Sequence, residues 1–218
     1  MQQLLLDIRP PALPDLSRFV VGDNHELMMH LGAMLDGRAT ERMVYLWGGP
    51  DSGKTYLLEA WGNACRLRGL AVVTAAHDTA VPQEAQVTIV DNAERWDTAR
   101  QLAVFAGFNR VRESVGLWLA AGRVPPADLP LIPELRTRLG WGLVFQMHPL
   151  NDAAKHAALA QHARGLGFQL DTAVAEYLLN HYPRDLGSLL RVLEALDRLS
   201  LETRRPITLP LVRQLMLP

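Results

Sequence analysis

The chain has 218 residues, enough for one well-buried core or a core with a small appendage. Hydrophobic residues make up 49% and charged residues 21%, a globular balance that excludes intrinsic disorder. A net charge of −1 argues against a broad non-specific grip on nucleic acid, and one cysteine, Cys65, allows neither an internal disulfide nor a cysteine metal cluster.

The chain opens MQQLLLDIRPP, with no basic n-region and only a short apolar run, so it does not read as a signal peptide. Prolines 10, 11 and 14 follow. They favour extended chain, so residues 1–14 are expected to form an extended peptide on a tether. Apolar runs then alternate with helical patterns. Strands are expected over Met43–Trp47, Leu70–Ala75, Val87–Val90, Leu117–Ala121 and Leu143–Met147. Their continuous apolar character predicts strands covered on both faces. Helices are expected over Asn24–Leu35, Lys54–Arg68, Asp97–Ser114 and Pro133–Leu139. Strand and helix in alternation imply an α/β fold: a five-stranded parallel sheet flanked by helices, over residues 15–150.

After Pro149 the pattern is wholly helical. Asn151 or Asp152 caps a first helix, which Gly165 and Gly167 can end, and Asp171 caps a second. A third carries Leu186, Leu189, Leu190, Leu193 and Leu196 at helical spacing, and a fourth begins near Leu209. Residues 151–218 thus read as a small all-helical lid domain. No apolar run reaches the roughly 18 residues of a membrane span.

Gly48-Gly49-Pro50-Asp51-Ser52-Gly53-Lys54-Thr55 fits G-x-x-x-x-G-K-[ST] in full, after a strand and opening a helix. Glycines let backbone N–H groups curl around phosphate, and the helix N-terminus adds positive dipole. Lys54 is expected on the β- and γ-phosphates and Thr55 on Mg²⁺. A Gly-rich turn that happens to end in Lys-Thr is the plain alternative. Lys54 is one of two lysines in an arginine-rich chain, which makes its presence here more telling. Asp91 ends the strand Val87–Val90 and is the natural second Mg²⁺ partner. Asn92 follows, where many ATPases have a second acid, so hydrolysis is expected to be slow. Glu94 is a weak substitute.

Arg138 precedes the last strand and can serve as an arginine finger towards a neighbouring molecule's γ-phosphate. Arg184, at the start of a lid helix, can fold back on bound nucleotide. Ordinary surface arginines are the default for both. The seven histidines show no metal-ligand spacing, and Trp47 and Trp118 are expected in the core.

Phe19-Val20-Val21-Gly22-Asp23-Asn24, the phosphate loop, Ile89-Val90-Asp91-Asn92, the P-E-L-R-T-R-L-G-W-G stretch and R-D-L-G-S-L-L together resemble the AAA+ module of bacterial DnaA. The resemblance covers nearly the whole chain as ordered motifs. It implies an AAA+ P-loop NTPase with a helical lid, ADP or ATP with Mg²⁺ as cofactors, Arg138 as arginine finger and Arg184 as sensor 2. The C-terminal DNA-reading domain of DnaA has no counterpart in the sequence, so no dedicated DNA reader and no membrane contact are expected. Gln3, Leu4, Leu6 and Ile8 resemble a sliding-clamp-binding peptide, Q-L-x-L-x-[LI], although Asp7 departs from the proline often seen in the fifth place. The sensor-1 region, Leu117 to Arg123, lacks the polar residue expected at the strand end, and the stretch between Ala76 and Gln86 is short for the family.

Two functions from different classes follow. One is a bacterial cytoplasmic adaptor that holds nucleotide, binds the DNA polymerase III sliding clamp (its beta subunit) and stimulates ATP hydrolysis by DnaA. The other is a stand-alone AAA+ ATPase that loads a helicase or remodels DNA. A homodimer is compatible with either.

Overall fold

The computed structural model describes residues 13–75, 85–183 and 185–215. The sequence-predicted clamp peptide, Arg184 and most of the connection between the second and third strands lie outside the described residues.

Five strands form one parallel sheet: β1 (Met43–Trp47), β2 (Val72–Ala75), β3 (Val87–Val90), β4 (Leu117–Gly122) and β5 (Leu143–Gln146), in the order β2-β3-β4-β1-β5. Helices α1 (His25–Leu35) and α2 (Lys54–Leu67) cover one face, where Leu27, Leu31, Leu57 and Trp61 pack on Val44, Leu46, Ile89 and Leu119. Trp61 is fully buried, and its indole N–H donates to the Leu31 carbonyl at 3.1 Å, so no polar group is stranded there. Cys65 sits in this cluster, and burial pushes its thiol pKa up to about 12. Helices α3 (Thr98–Glu113) and α4 (Pro133–Leu139) cover the other face with Val104, Phe108, Leu135 and Leu139, against Tyr45, Val90, Trp118 and Ala120.

Local capping sets where helices begin. The Asp97 carboxylate accepts from the Arg100 N–H at 2.7 Å to start α3. Asn151 rather than Asp152 caps α5 (Asp152–Leu166), accepting from Ala154 N–H at 2.8 Å, and Gly167 ends it at φ +97°. Asp171 caps α6 (Thr172–His181) and Asp185 caps α7 (Leu186–Thr203) in the same way. With α8 (Leu209–Leu215), these helices enclose a core of their own around Leu159, Leu178, Leu189, Leu193 and Leu196.

Two expectations need correction. β5 is not covered on both faces. It is an edge strand paired only to β1, and Leu143 and Val144 are 37% and 38% exposed. An apolar run reads the same whether or not another element lies beyond it. Trp118 is buried, but Trp47, at the end of β1, is only half-buried against the core. Smaller differences are a second strand that begins at Val72 and a fourth that reaches Gly122. Among the described residues no group of histidines, cysteines and carboxylates can hold a metal ion, and no helix is long and apolar enough to cross a membrane.

β5 approaches β1 through two glycines. A Cβ on Gly48 would lie 2.5 Å from the Met147 carbonyl oxygen, and one on Gly142 would collide with the Met43 carbonyl. Main-chain atoms cannot yield as a side-chain tip can. Gly142→Ala should therefore cost about 2 kcal/mol or more, beyond an ordinary surface change. A fall in the urea unfolding midpoint at constant slope measures it; an unchanged midpoint would mean that β5 can slide away from β1.

Candidate phosphate-binding site

The loop after β1 is built by local conformation. Asp51 and Gly53 have φ of +59° and +86°, a left-handed sequence of turns that curls the main chain. Gly53 is the N-cap of α2, whose first-turn amides have no acceptor within the helix. The loop thus meets an anion with amides and a helix dipole. Gly48 must be glycine because the Met147 carbonyl stands behind it.

Lys54 arches over the loop. Its ammonium donates to the carbonyls of Gly48 and Gly49 at 2.8 and 2.7 Å and to Ser52 Oγ at 3.0 Å. Burial lowers its pKa, opposed by the charges of Asp91 and Glu94. Thr55 Oγ1 donates to Asp91 Oδ2 at 2.6 Å. The other Asp91 oxygen accepts from Asn92 N–H at 2.7 Å, and its carbonyl accepts from the Trp96 indole at 2.9 Å. A hydroxyl and a fixed carboxylate oxygen are hard donors of the kind Mg²⁺ takes. Pro50, Asp51 and Ser52 complete the loop between these groups.

Asn92 adopts φ +56° and leads into a short 3-10 turn, Ala93–Arg95. That turn carries Glu94 to the end of β4, where its carboxylate meets Arg123 Nε at 3.1 Å and the Arg123 N–H at 3.2 Å. Sequence reasoning missed this pair. Arg123 was visible as the residue after the apolar run, but the partner depends on the turn at Asn92. The missing polar side chain at Gly122 also has a cause: a Cβ there would strike the Tyr45 hydroxyl, which donates to the Val124 carbonyl at 2.9 Å. Burial, with Glu94 and Asp91 nearby, raises the Tyr45 pKa well above the phenol range.

The segment before α1 closes the other side. Asn24 is 4% exposed. Its amide donates to the carbonyls of Val21 and His148, and its oxygen accepts from His148 N–H at 2.8 Å. Gly22, at φ +52°, lies against Leu150, and Phe19 stacks on Tyr56 with ring centroids 6.3 Å apart. Residues 19–24 are thereby fastened to 147–150, the segment that leads from β5 into α5.

Arg138 belongs to a different place. It lies in the last turn of α4, with its guanidinium 3.7 Å from the ring centroid of Trp141 and 5.7 Å from that of Phe105. Arg138 precedes the N-terminal end of β5, whereas the phosphate loop follows the C-terminal end of β1, to which β5 runs parallel. A cavity of about 590 Å³ opens at the opposite end of the sheet, lined by Arg42, Gln86, Arg110, Ser114 and Gly116 among others. It has no part in the phosphate loop.

A parallel sheet in this order, a phosphate loop after β1 and a helical cap define an AAA+ P-loop protein. Domain III of DnaA from Thermotoga maritima superposes with a TM-score of 0.79 at 17% identity, covering 94% of this chain and 97% of that one. AMPPCP-bound DnaA from Aquifex aeolicus gives 0.75 at 18%, covering 89% and 67%. RuvB from Thermotoga maritima gives 0.68 at 16%, covering 93% and 71%. These likenesses establish the fold. Residues 152–216 match the family described as "Hda, lid domain". The chain thus has the AAA+ fold of the DnaA structures, and its helical cap matches the Hda lid family over residues 152–216.

Because the amine of Lys54 is already partly dehydrated, affinity for a nucleotide phosphate should decline with rising pH from below the ordinary lysine range. The sign follows from charge: the ammonium attracts phosphate, and raising pH through a lowered pKa removes it. Above that pH the decline should approach tenfold per unit. Calorimetric titration with ADP across an alkaline series tests this, and Lys54→Ala should bind weakly without the alkaline fall.

Proposed function

We propose that this chain is a nucleotide-holding adaptor that acts on DnaA, lowering its ATP-bound form and so restraining replication initiation. The reading rests most heavily on Arg138. Among the described residues its guanidinium has no carboxylate partner, and it lies before the start of β5, at the end of the sheet away from the phosphate loop. A cation so placed is suited to a phosphate carried by another molecule, and an arginine finger given in trans can be worth about 10³–10⁵ in rate.

The chain's own loop has the parts to hold ADP or ATP. Gly48 to Gly53 would surround the phosphates, Lys54 would turn outward to them, and Thr55 with Asp91 would hold Mg²⁺. A DnaA structure of the same fold carries the analogue AMPPCP and single-stranded DNA, which supports nucleotide in this chain's loop. Bound Mg²⁺ would neutralise phosphate charge. Arg184, outside the described residues, keeps the nucleotide-contacting role that the DnaA resemblance implies. Asn92 leaves its strand end in a left-handed turn, and Glu94 is committed to Arg123. The Asn92 amide is not a base and the Glu94 carboxylate is already paired, so intrinsic hydrolysis is slow and the ATP consumed is that of DnaA.

In this reading residues 15–150 form the nucleotide-binding domain and 151–218 the lid. Gln3, Leu4, Leu6 and Ile8 dock on the sliding clamp, with leucine and isoleucine side chains in an apolar cleft. The clamp then concentrates the adaptor where DnaA must be switched.

Arg138→Ala should reduce stimulated hydrolysis of DnaA-bound ATP by ~10³-fold while ADP and clamp binding persist. A single-turnover assay with labelled ATP on DnaA and DNA-loaded clamp reads this directly; full stimulation by the variant would refute the assignment. Removal of residues 2–8 should abolish retention on immobilised clamp without altering ADP affinity, and unchanged retention would dismiss the clamp peptide.

A further inference from the structure

Trp141 is a large apolar side chain left 50% exposed on a chain that buries most of its aromatic surface. The backbone on both sides explains how it is held there. The Trp141 N–H donates to the Arg138 carbonyl at 3.2 Å, closing the end of α4. On the other side Gly142 is pressed against the Met43 carbonyl, where no side chain fits. The turn is pinned at both ends, and the indole stands on its surface.

Two cations use that indole. The guanidinium of Arg138 lies 3.7 Å from the ring centroid and that of Arg112, from α3, lies 5.1 Å away. Among the described residues neither has a carboxylate partner. Arg138 Nε is buried without an acceptor, so the edge left for an incoming anion is the pair of terminal nitrogens. An arginine normally has wide rotamer freedom, and a guanidinium stacked on an aromatic face loses much of it before any ligand arrives. The ring's negative face also favours the cation without neutralising it, as a carboxylate would.

We infer that Trp141 is the positioning residue of Arg138, a stacking platform that pre-orients the guanidinium for a phosphoryl group of a nucleoside triphosphate on the partner. Arg112 adds positive potential on the same ring. The inference rests on the arginine-finger reading of Arg138. It assigns to Trp141 no contact with the phosphate itself. A platform affects how well the finger acts once the partners have met, and leaves how tightly they meet unchanged.

The test follows hydrolysis of DnaA-bound ATP, with DNA-loaded clamp present, against increasing concentration of this protein. Trp141→Leu keeps apolar bulk without a π face; Trp141→Tyr keeps the face. The leucine variant should lower the plateau rate about three- to tenfold with the half-saturating concentration unchanged. The tyrosine variant should recover most of the plateau. Thermal melting with and without ADP confirms that both fold. Wild-type behaviour of Trp141→Leu would overturn the inference, as would a raised plateau, which would make the stack a brake. A loss seen only in the half-saturating concentration would also overturn it, because Trp141 would then be a contact surface. Arg138→Ala is run alongside. If that variant still stimulates, the finger reading fails and the platform with it; if it does not while Trp141→Leu matches wild type, only the platform fails.

Discussion

The contact between β1 and β5 governs the rest of the molecule. The two strands run side by side from Val44 and Leu143 to Trp47 and Gln146, and the ladder continues as Met147 N–H donates to the Trp47 carbonyl at 2.6 Å. Beyond each end main chain meets main chain, at Gly48 against Met147 and at Gly142 against Met43. Close approach of this kind is available only to glycine. At the C-terminal end it sets the start of the phosphate loop. At the N-terminal end it sets the turn that carries Trp141 and, through α4, Arg138. One strand pair therefore fixes both regions to which function is assigned, on opposite ends of β1.

The same pair ties the lid to the loop. After Met147 the chain passes His148, which Asn24 grips through both its N–H and its carbonyl, then Leu150, which packs on Gly22. Asn151 then caps α5. The segment before α1 and the segment before the lid are thus fastened together beside Gly53, against which Phe19 and Met147 both lie. A few hydrogen bonds and one apolar contact therefore join the phosphate loop's surroundings to the root of the helical cap.

Legibility in the sequence followed locality. Strand, loop and helix around Gly48–Thr55 are neighbours in the chain, and so are the capping residues Asp97, Asn151 and Asp171 and the helices they start. Such features are decided within one turn, and the sequence displays them. The exposure of β5 was not legible, because Leu143 and Val144 look no different from core residues until the absence of a further strand is known. Nor was the Glu94–Arg123 pair, which needs the left-handed turn at Asn92 to bring the two together. The vacancy at Gly122 read as a missing polar group. Its cause is the Tyr45 hydroxyl on the adjacent strand, a relation that no spacing along the chain records.

These particulars also separate two kinds of charge. Around Lys54 the charges that face the loop are answered, apart from the exposed Asp51: the ammonium by carbonyls and a hydroxyl, Asp91 by Thr55 and Asn92, Glu94 by Arg123. Reaction there requires these pairs to open, and each opened pair must be replaced by contacts to ligand. Arg138 faces no such requirement. It is held by an aromatic face that leaves its charge intact, and a weak cation–π contact of about 1 kcal/mol can orient a guanidinium without competing seriously with a phosphate. A self-satisfied cradle and an unanswered cation are what a protein needs if it is to hold one nucleotide quietly while acting on another, and that division of electrostatics favours action in trans over self-contained catalysis.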